Sequence, residues 1–151
     1  MLSGLLFTGC KTGETISSEE KIAQIANSIG ETKYTFVPAT AIPMGAPSIS
    51  LTPSFFLKIR KDTIDAYLPY YGRAYTAPID PSKGPFTFTS TDFEYKISQN
   101  KKGEWDVDIQ TNDTDGKTKL SLSVDKSGSA SLSTSNNNRQ PISFYGSVEP
   151  K

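Results

Sequence analysis

The 151-residue chain contains no histidine. That absence removes Ser-His and Cys-His nucleophile pairs and most zinc sites, because imidazole is the usual base and the usual nitrogen ligand in them. A single cysteine, Cys10, rules out an intrachain disulfide. No stretch approaches the roughly 18 consecutive apolar residues of a membrane-spanning helix. Neither charge sign dominates: sixteen Lys and Arg balance sixteen Asp and Glu with no long run of either, so there is no electrostatic footprint for nucleic acid. The length fits one domain. A domain of this size buries roughly 70% of the surface its unfolded chain exposes, enough to fold without a metal or a disulfide.

What is present begins with the cysteine. Leu5-Leu6-Phe7-Thr8-Gly9-Cys10 has the form of the end of a bacterial lipoprotein signal peptide, apolar residues and a small residue leading to a cysteine. Cys10 is the expected lipidation site. Residues 1–9 read as a partial signal peptide, 10–16 as the lipidated cysteine and a polar spacer, and 17–151 as a single β-rich domain. Met1 to Gly9 hold no Lys or Arg, so the basic part of the signal is expected upstream. Acyl chains contribute roughly 0.8 kcal/mol per buried methylene, so such a tether asks nothing of the fold. Lys11 stands where an inner-membrane retention signal has aspartate, which makes the expected location the cell envelope, on the outer membrane, with periplasmic and surface faces both open. The competing account is a frayed apolar terminus with one buried cysteine.

Ser17 and Glu20 have capping-box spacing, and Ile22, Ile25, Ala26 and Ile29 recur at helical intervals, predicting an amphipathic helix over 18–29 stopped by a left-handed Gly30. The period then changes. Tyr34 to Val37 predict a short strand ended by Pro38 and Pro43, followed by a Pro- and Gly-rich link over 38–48. Alternation resumes through Phe55, Leu57 and Ile59, then Ile64, Ala66 and Leu68 after a Lys61-Asp62 turn. It continues from Phe86 through Phe93, Tyr95 and Ile97, then Trp105, Val107 and Ile109, then Leu120, Leu122 and Val124. Ala130 with Leu132 and Ile142 with Phe144 mark the last two strands. The short polar links at 100–103, 112–117, 125–128 and 135–140 suit hairpins. Seven or eight strands, each apolar on one face, predict a mainly β fold: an antiparallel meander curled into a small barrel or two-layer sheet, with one N-terminal helix. A β-sandwich is the alternative.

Tyr67-Leu68-Pro69-Tyr70-Tyr71-Gly72-Arg73-Ala74-Tyr75 is the most distinctive internal run. Together with Tyr34-Thr35-Phe36, Phe55-Phe56-Leu57-Lys58-Ile59 and the closing segment from Ser135 to Gly146, it resembles the domain of unknown function 4251 (DUF4251) family, lipoprotein-like proteins of Bacteroidetes. The resemblance spans roughly residues 17–148. It implies an envelope location and one β-rich domain, and carries no activity with it.

On a regular strand Tyr71, Arg73 and Tyr75 share one face, so they form the candidate ligand or partner patch: phenol rings for sugar or lipid, and a guanidinium fork for carboxylate or phosphate. Arg139 and Tyr145 join them only if the last strand closes against this one. The competing role is structural, with Tyr67 and Tyr70 packed beneath the helix. Catalytic and metal-binding groups are not evident. Asp106 and Asp108 face away from Trp105, Val107 and Ile109, as solvated charge does. Glu94 and Glu104 on adjoining strands are the nearest approach to a glycosidase pair. Asp113, Asp115 and Gly116 resemble part of a calcium loop that fails at Thr111 and Leu122, so an ordinary turn is the better account.

The reading is therefore a cell-envelope lipoprotein whose domain is a non-catalytic interaction or structural module, with no cofactor and no metal. Its expected partners are the membrane, through Cys10, and a glycan, lipid or envelope protein. The alternatives are small-molecule binding through Tyr67–Tyr75 and, last, a carboxylate hydrolase. A small-molecule binder requires a concave, open-mouthed site, and an interaction module a filled interior with an exposed apolar or edge-strand patch.

Overall fold

Helix α1, Ser18–Gly30, is the first element of the computed structural model, which describes residues 18–71, 86–114 and 116–150. Ser17 of the expected capping box lies outside them. Glu19 and Glu20 occupy the first turn, where carboxylates complement the positive helix end. Ile25 and Ile29 are buried and Ala26 half-buried, whereas Ile22 is exposed, so the apolar stripe loses its first member. The stop also differs from expectation. The left-handed residue is Thr32, at φ 53°, and not Gly30. Lys33 N donates to Ser28 O at 2.9 Å and Thr32 N to Ile29 O at 3.1 Å, the paired bonds of a Schellman cap with threonine in the usual glycine position. The Thr32 side chain lies against the Tyr95 hydroxyl, a contact no glycine makes.

Among the described residues ten strands follow: β1 (Tyr34–Pro43), β2 (Ile49–Ser50), β3 (Phe56–Ile59), β4 (Ile64–Leu68), β5 (Phe86–Ser90), β6 (Phe93–Gln99), β7 (Trp105–Thr111), β8 (Thr118–Val124), β9 (Ser129–Asn136) and β10 (Arg139–Pro150). All pairings are antiparallel. The order across the sheet is β5-β4-β3-β1-β10-β9-β8-β7-β6, with β2 beside β1 off this path. Pro38 and Pro43 do not end β1. The register with β10 shifts between Pro38 and Thr40, and Pro43 is the last residue, so each proline sits at a bulge or a strand end, where a missing N–H is tolerated. The expected link over 38–48 is thus largely strand, and its remainder turns back so that Ile49 and Ser50 pair with Ala41 and Thr40.

Strands β5 and β6 stand at opposite ends of the sheet, yet only Thr91 and Asp92 separate them. Three Cα steps span at most about 11 Å. Nine strands laid flat would place the two edges roughly 38 Å apart. The sheet therefore curls until its edges meet at this corner, giving a mainly β, nearly closed antiparallel barrel with one N-terminal helix. A sandwich of two sheets is excluded by the unbroken pairing path. The Tyr34 hydroxyl on β1 and the Tyr95 hydroxyl on β6 hydrogen-bond at 2.9 Å, although four strands intervene along the sheet. Burial raises both phenols above the ordinary tyrosine value, so the pair stays neutral.

Inward residues of successive strands fill the barrel, among them Phe36, Leu57, Ile64, Leu122, Leu132 and Phe144. Ile25 of α1 joins this core against the β8–β9 turn, where a Cβ on Gly128 would stand 3.0 Å from Ile25 Cδ1. Edge strand β6 is less well covered: Phe93 and Tyr95 are half-buried and Ile97, expected to face inward, is exposed.

Gly146 lies opposite the β1 bulge, paired with Pro38. A Cβ there would overlap the Val37 carbonyl oxygen and stand 2.8 Å from Pro38 Cα, both of them backbone atoms that cannot rotate away. Gly146→Ala is expected to destabilise the fold by roughly 3 kcal/mol. Gly30→Ala, which meets nothing within 4 Å, should be neutral or stabilising by about 0.5 kcal/mol. Urea denaturation of the two variants against the parent checks both the magnitude and the contrast.

Candidate functional site

The tyrosine run divides between surface and interior. Tyr67, on β4, faces outward and is 43% exposed, and Tyr71 is exposed; Arg73 and Tyr75 lie outside the described residues. Tyr70 is half-buried, packs edge-on against Phe86 at 5.6 Å and donates its hydroxyl to the Gln140 carbonyl at 3.2 Å. Neither Tyr67 nor Tyr70 takes the expected place beneath the helix. Tyr70 instead ties the segment after β4 to the start of β10. Tyr145 on β10 is exposed and Arg139 is buried, so these two do not form one surface patch.

The outer face of β3, β4 and β5 gathers two cross-strand rows. Phe56, Tyr67 and Thr87 are register partners, and so are Lys58, Asp65 and Thr89. In the first row Tyr67 stacks on neighbouring Phe55 at 5.3 Å and lies 5.9 Å from Phe56. In the second, Thr89 Oγ1 donates to Asp65 Oδ1 at 2.6 Å, and Lys58 Nζ sits 4.6 Å from the Phe56 ring centre. A groove of about 580 Å³ beside β5 runs along these rows, while Phe88, the register partner of buried Ala66, packs against the core. Among the described residues β5 pairs on one side only, with β4. Aromatic faces, one carboxylate and one ammonium thus border a strand that pairs on one side only among the described residues, an arrangement suited to contact.

A second face is polar. Asp106, Ser123, Ser131 and Tyr145 form one row across β7 to β10, and Asp108, Ser121, Ser133 and Ser143 the next. Ser123 donates to Asp106 at 3.0 Å and Ser121 to Asp108 at 2.7 Å, so these carboxylates are solvated and already hydrogen-bonded. Glu94 lies opposite Gln110, whereas Glu104 stands at the β6–β7 turn and accepts the Asn100 amide at 2.8 Å. The two glutamates are at opposite ends of their hairpin and cannot flank one bond. Among the described residues no three acidic or cysteine side chains converge as a metal site would require, and no helix is long and apolar enough to cross a membrane.

A model of the family described as Domain of unknown function (DUF4251) matches residues 17–148. The chain belongs to the DUF4251 family. A crystal structure of a DUF4251 family protein from Bacteroides eggerthii DSM 20697 is similar in fold, with a TM-score of 0.63 at 12% identity over 86% of this chain and 87% of that one. No curated protein matches the chain. The DUF4251 fold thus supplies a scaffold, and the chemistry has to be read from this chain's own residues. Sequence alternation places Asp65, Thr87 and Thr89 on the outer face, but nothing in it signals that β5 is an edge, which is what turns those residues into a groove.

Asp113, from the partial calcium pattern, serves the fold. Its carboxylate accepts the Ser90 hydroxyl, Thr91 N at 3.0 Å and Asp92 N at 3.2 Å, fastening the corner between β5 and β6. These donors, the Ser90 hydroxyl first, hold its carboxyl below the ordinary value of 3.8. A depressed native value means stability that is present above the unfolded value and is lost as pH falls through the native one. Asp113→Asn should therefore be less stable than the parent at neutral pH, and the two urea midpoints should converge once the medium is acid enough to protonate the native carboxylate. A constant gap from pH 7 to pH 2 would show that the charge has no part in the clamp.

Proposed function

We propose that this DUF4251 protein is a lipid-anchored envelope protein of the outer membrane, held through Cys10, whose β-domain is a non-catalytic interaction module. The observation that carries the second part is the pairing of a filled barrel interior with an exposed aromatic row beside strand edge β5. An internal small-molecule site needs an open, concave mouth. Here Phe36, Leu57, Leu132 and Phe144 occupy the interior, and the groove lies outside it. The occupant that fits this groove is an extended segment of another envelope protein, adding its backbone to β5 and laying alternate side chains over Phe56, Tyr67 and Thr87. The polar row of Lys58, Asp65 and Thr89 then sets register and charge preference.

Photo-crosslinking in intact cells tests the surface, with a benzophenone amino acid placed at position 67 or 87 and, as control, at outward position 121. A discrete adduct formed from 67 and 87, absent from 121 and weakened several-fold by Phe56→Ala, is the expected result. Saturable binding of a glycan or fatty acid, abolished by Tyr67→Ala and unaccompanied by any protein adduct, would replace this reading with small-molecule recognition.

The anchor has its own test. Cys10→Ser should abolish incorporation of labelled palmitate and move the protein from the membrane to the soluble fraction. Unchanged fractionation of the serine variant would remove Cys10 as the tether.

A further inference from the structure

Strand β6 is the second edge of the sheet: among the described residues it pairs with β7 alone. Five of its seven residues are exposed, whereas on the opposite edge strand, β5, only Thr89 is. Two kinds of side chain lie bare along it. Glu94 and Lys96 are exposed on the outer face, and neither side chain has a partner among the described residues. On the inward face Phe93 and Tyr95 are half-buried, and Ile97 is 45% exposed although its ladder partner Val107 is buried.

A bare edge with no proline and no bulge accepts a further strand, and the spacing of its charges selects which one. Residues opposite each other in an antiparallel ladder share a face of the sheet, so two copies of β6 related by a two-fold axis pair with that axis passing through a single residue. Centred on Glu94 or on Lys96, the ladder sets a charge against its own like, which is destabilising. Centred on Ile97, it leaves Lys96 opposite Ser98 and Glu94 opposite Asn100, beyond the end of the strand. Centred on Tyr95, each Glu94 faces the Lys96 of the second copy and each Phe93 faces its Ile97. Both charges are then paired twice by symmetry, and apolar surface on the inward face leaves water. The neighbouring strands extend the match. Gln110 and Lys119 lie beyond Glu94, and Asp108 and Ser121 beyond Lys96. Across the joint the row therefore runs Lys119, Gln110 and Glu94, then Lys96, Asp108 and Ser121 of the second copy, with the charges alternating in sign.

We propose that this chain forms an isologous dimer in which the β6 strands of two copies pair antiparallel about Tyr95, joining their sheets edge to edge. Charge of one sign on an edge repels a second copy; one charge of each sign, two residues apart, attracts it in a single register. The joint uses β6 and leaves the β3–β5 face to another occupant, so either proposal stands if the other fails.

Sedimentation of the 151-residue chain carrying Cys10→Ser, over a range of concentrations, reads the dimer dissociation constant. A reversible monomer–dimer equilibrium is expected. Glu94→Lys and Lys96→Glu each make both cross-strand pairs repulsive and should weaken the dimer by about tenfold or more, while the combined variant restores opposite signs and should return to within about threefold of the parent. Both positions are exposed, and circular dichroism checks that the fold is kept. Register has its own readout. In the same background, Glu94→Cys combined with Lys96→Cys should form a disulfide-linked dimer on mild oxidation, and Lys96→Cys alone should not. A monomer at every concentration up to millimolar, a dimer indifferent to the charge reversals, or a combined variant as weak as the single ones overturns the proposal. So does efficient cross-linking of Lys96→Cys alone, which would put the two-fold axis elsewhere.

Discussion

The two residues between β5 and β6 govern the rest of the architecture. Thr91 and Asp92 connect strands that the pairing order sends to opposite edges, and a link of about 11 Å cannot bridge a flat sheet roughly 38 Å wide. Curling is therefore imposed by connectivity before any side chain packs. Asp113 then holds the corner by collecting one hydroxyl and two backbone N–H groups, and the bond between Tyr34 and Tyr95 draws β1 and β6 together from inside. Once the sheet has curled, its inward side chains meet one another, and α1 has a turn at Gly128 and an apolar neighbour in Val148 against which to bury Ile25.

Closure also explains where β1 tolerates its prolines. The strand is clasped by β10 on one side and by β3, then β2, on the other, and it must bend to keep both ladders. A bulge between Pro38 and Thr40 provides the bend, with a proline that has no N–H to lose and a glycine opposite, Gly146, whose missing Cβ lets the two backbones approach. Pro38 and Gly146 are far apart in the chain but act as one feature.

Much of this was legible in local pattern, and the rest was not for identifiable reasons. Alternation located β3, β4, β7 and β8 because Leu57 and Ile59, Ile64, Ala66 and Leu68, Val107 and Ile109, and Leu120, Leu122 and Val124 recur at every second position and face inward. It overestimated burial at Ile97, since burial depends on what lies beyond an edge strand and not on the strand's own period. It also stopped β1 too soon, because a proline signals strand termination until a partner supplies a bulge. Thr32 in the left-handed position was invisible for a similar reason: the Tyr95 hydroxyl it lies against is more than sixty residues away. The candidate site shows the same division. The tyrosine run was recognisable as unusual, but its residues part ways at Pro69, Tyr67 facing outward and Tyr70 turning in toward Gln140. Arg139 looked like an addition to a surface patch, whereas its pairing with buried Asn136 sets it on the inner face.

A barrel whose interior is occupied by its own side chains has to meet other molecules through its outer faces, its strand edges or its ends. Two of its outer faces are chemically distinct here. The face of β7 to β10 carries short hydroxyls whose neighbouring aspartates are already engaged, so it offers little that a partner could bind more strongly than water does. The β3–β5 face joins aromatic surface to a strand that, among the described residues, pairs on one side only, so contact there would remove apolar area from water.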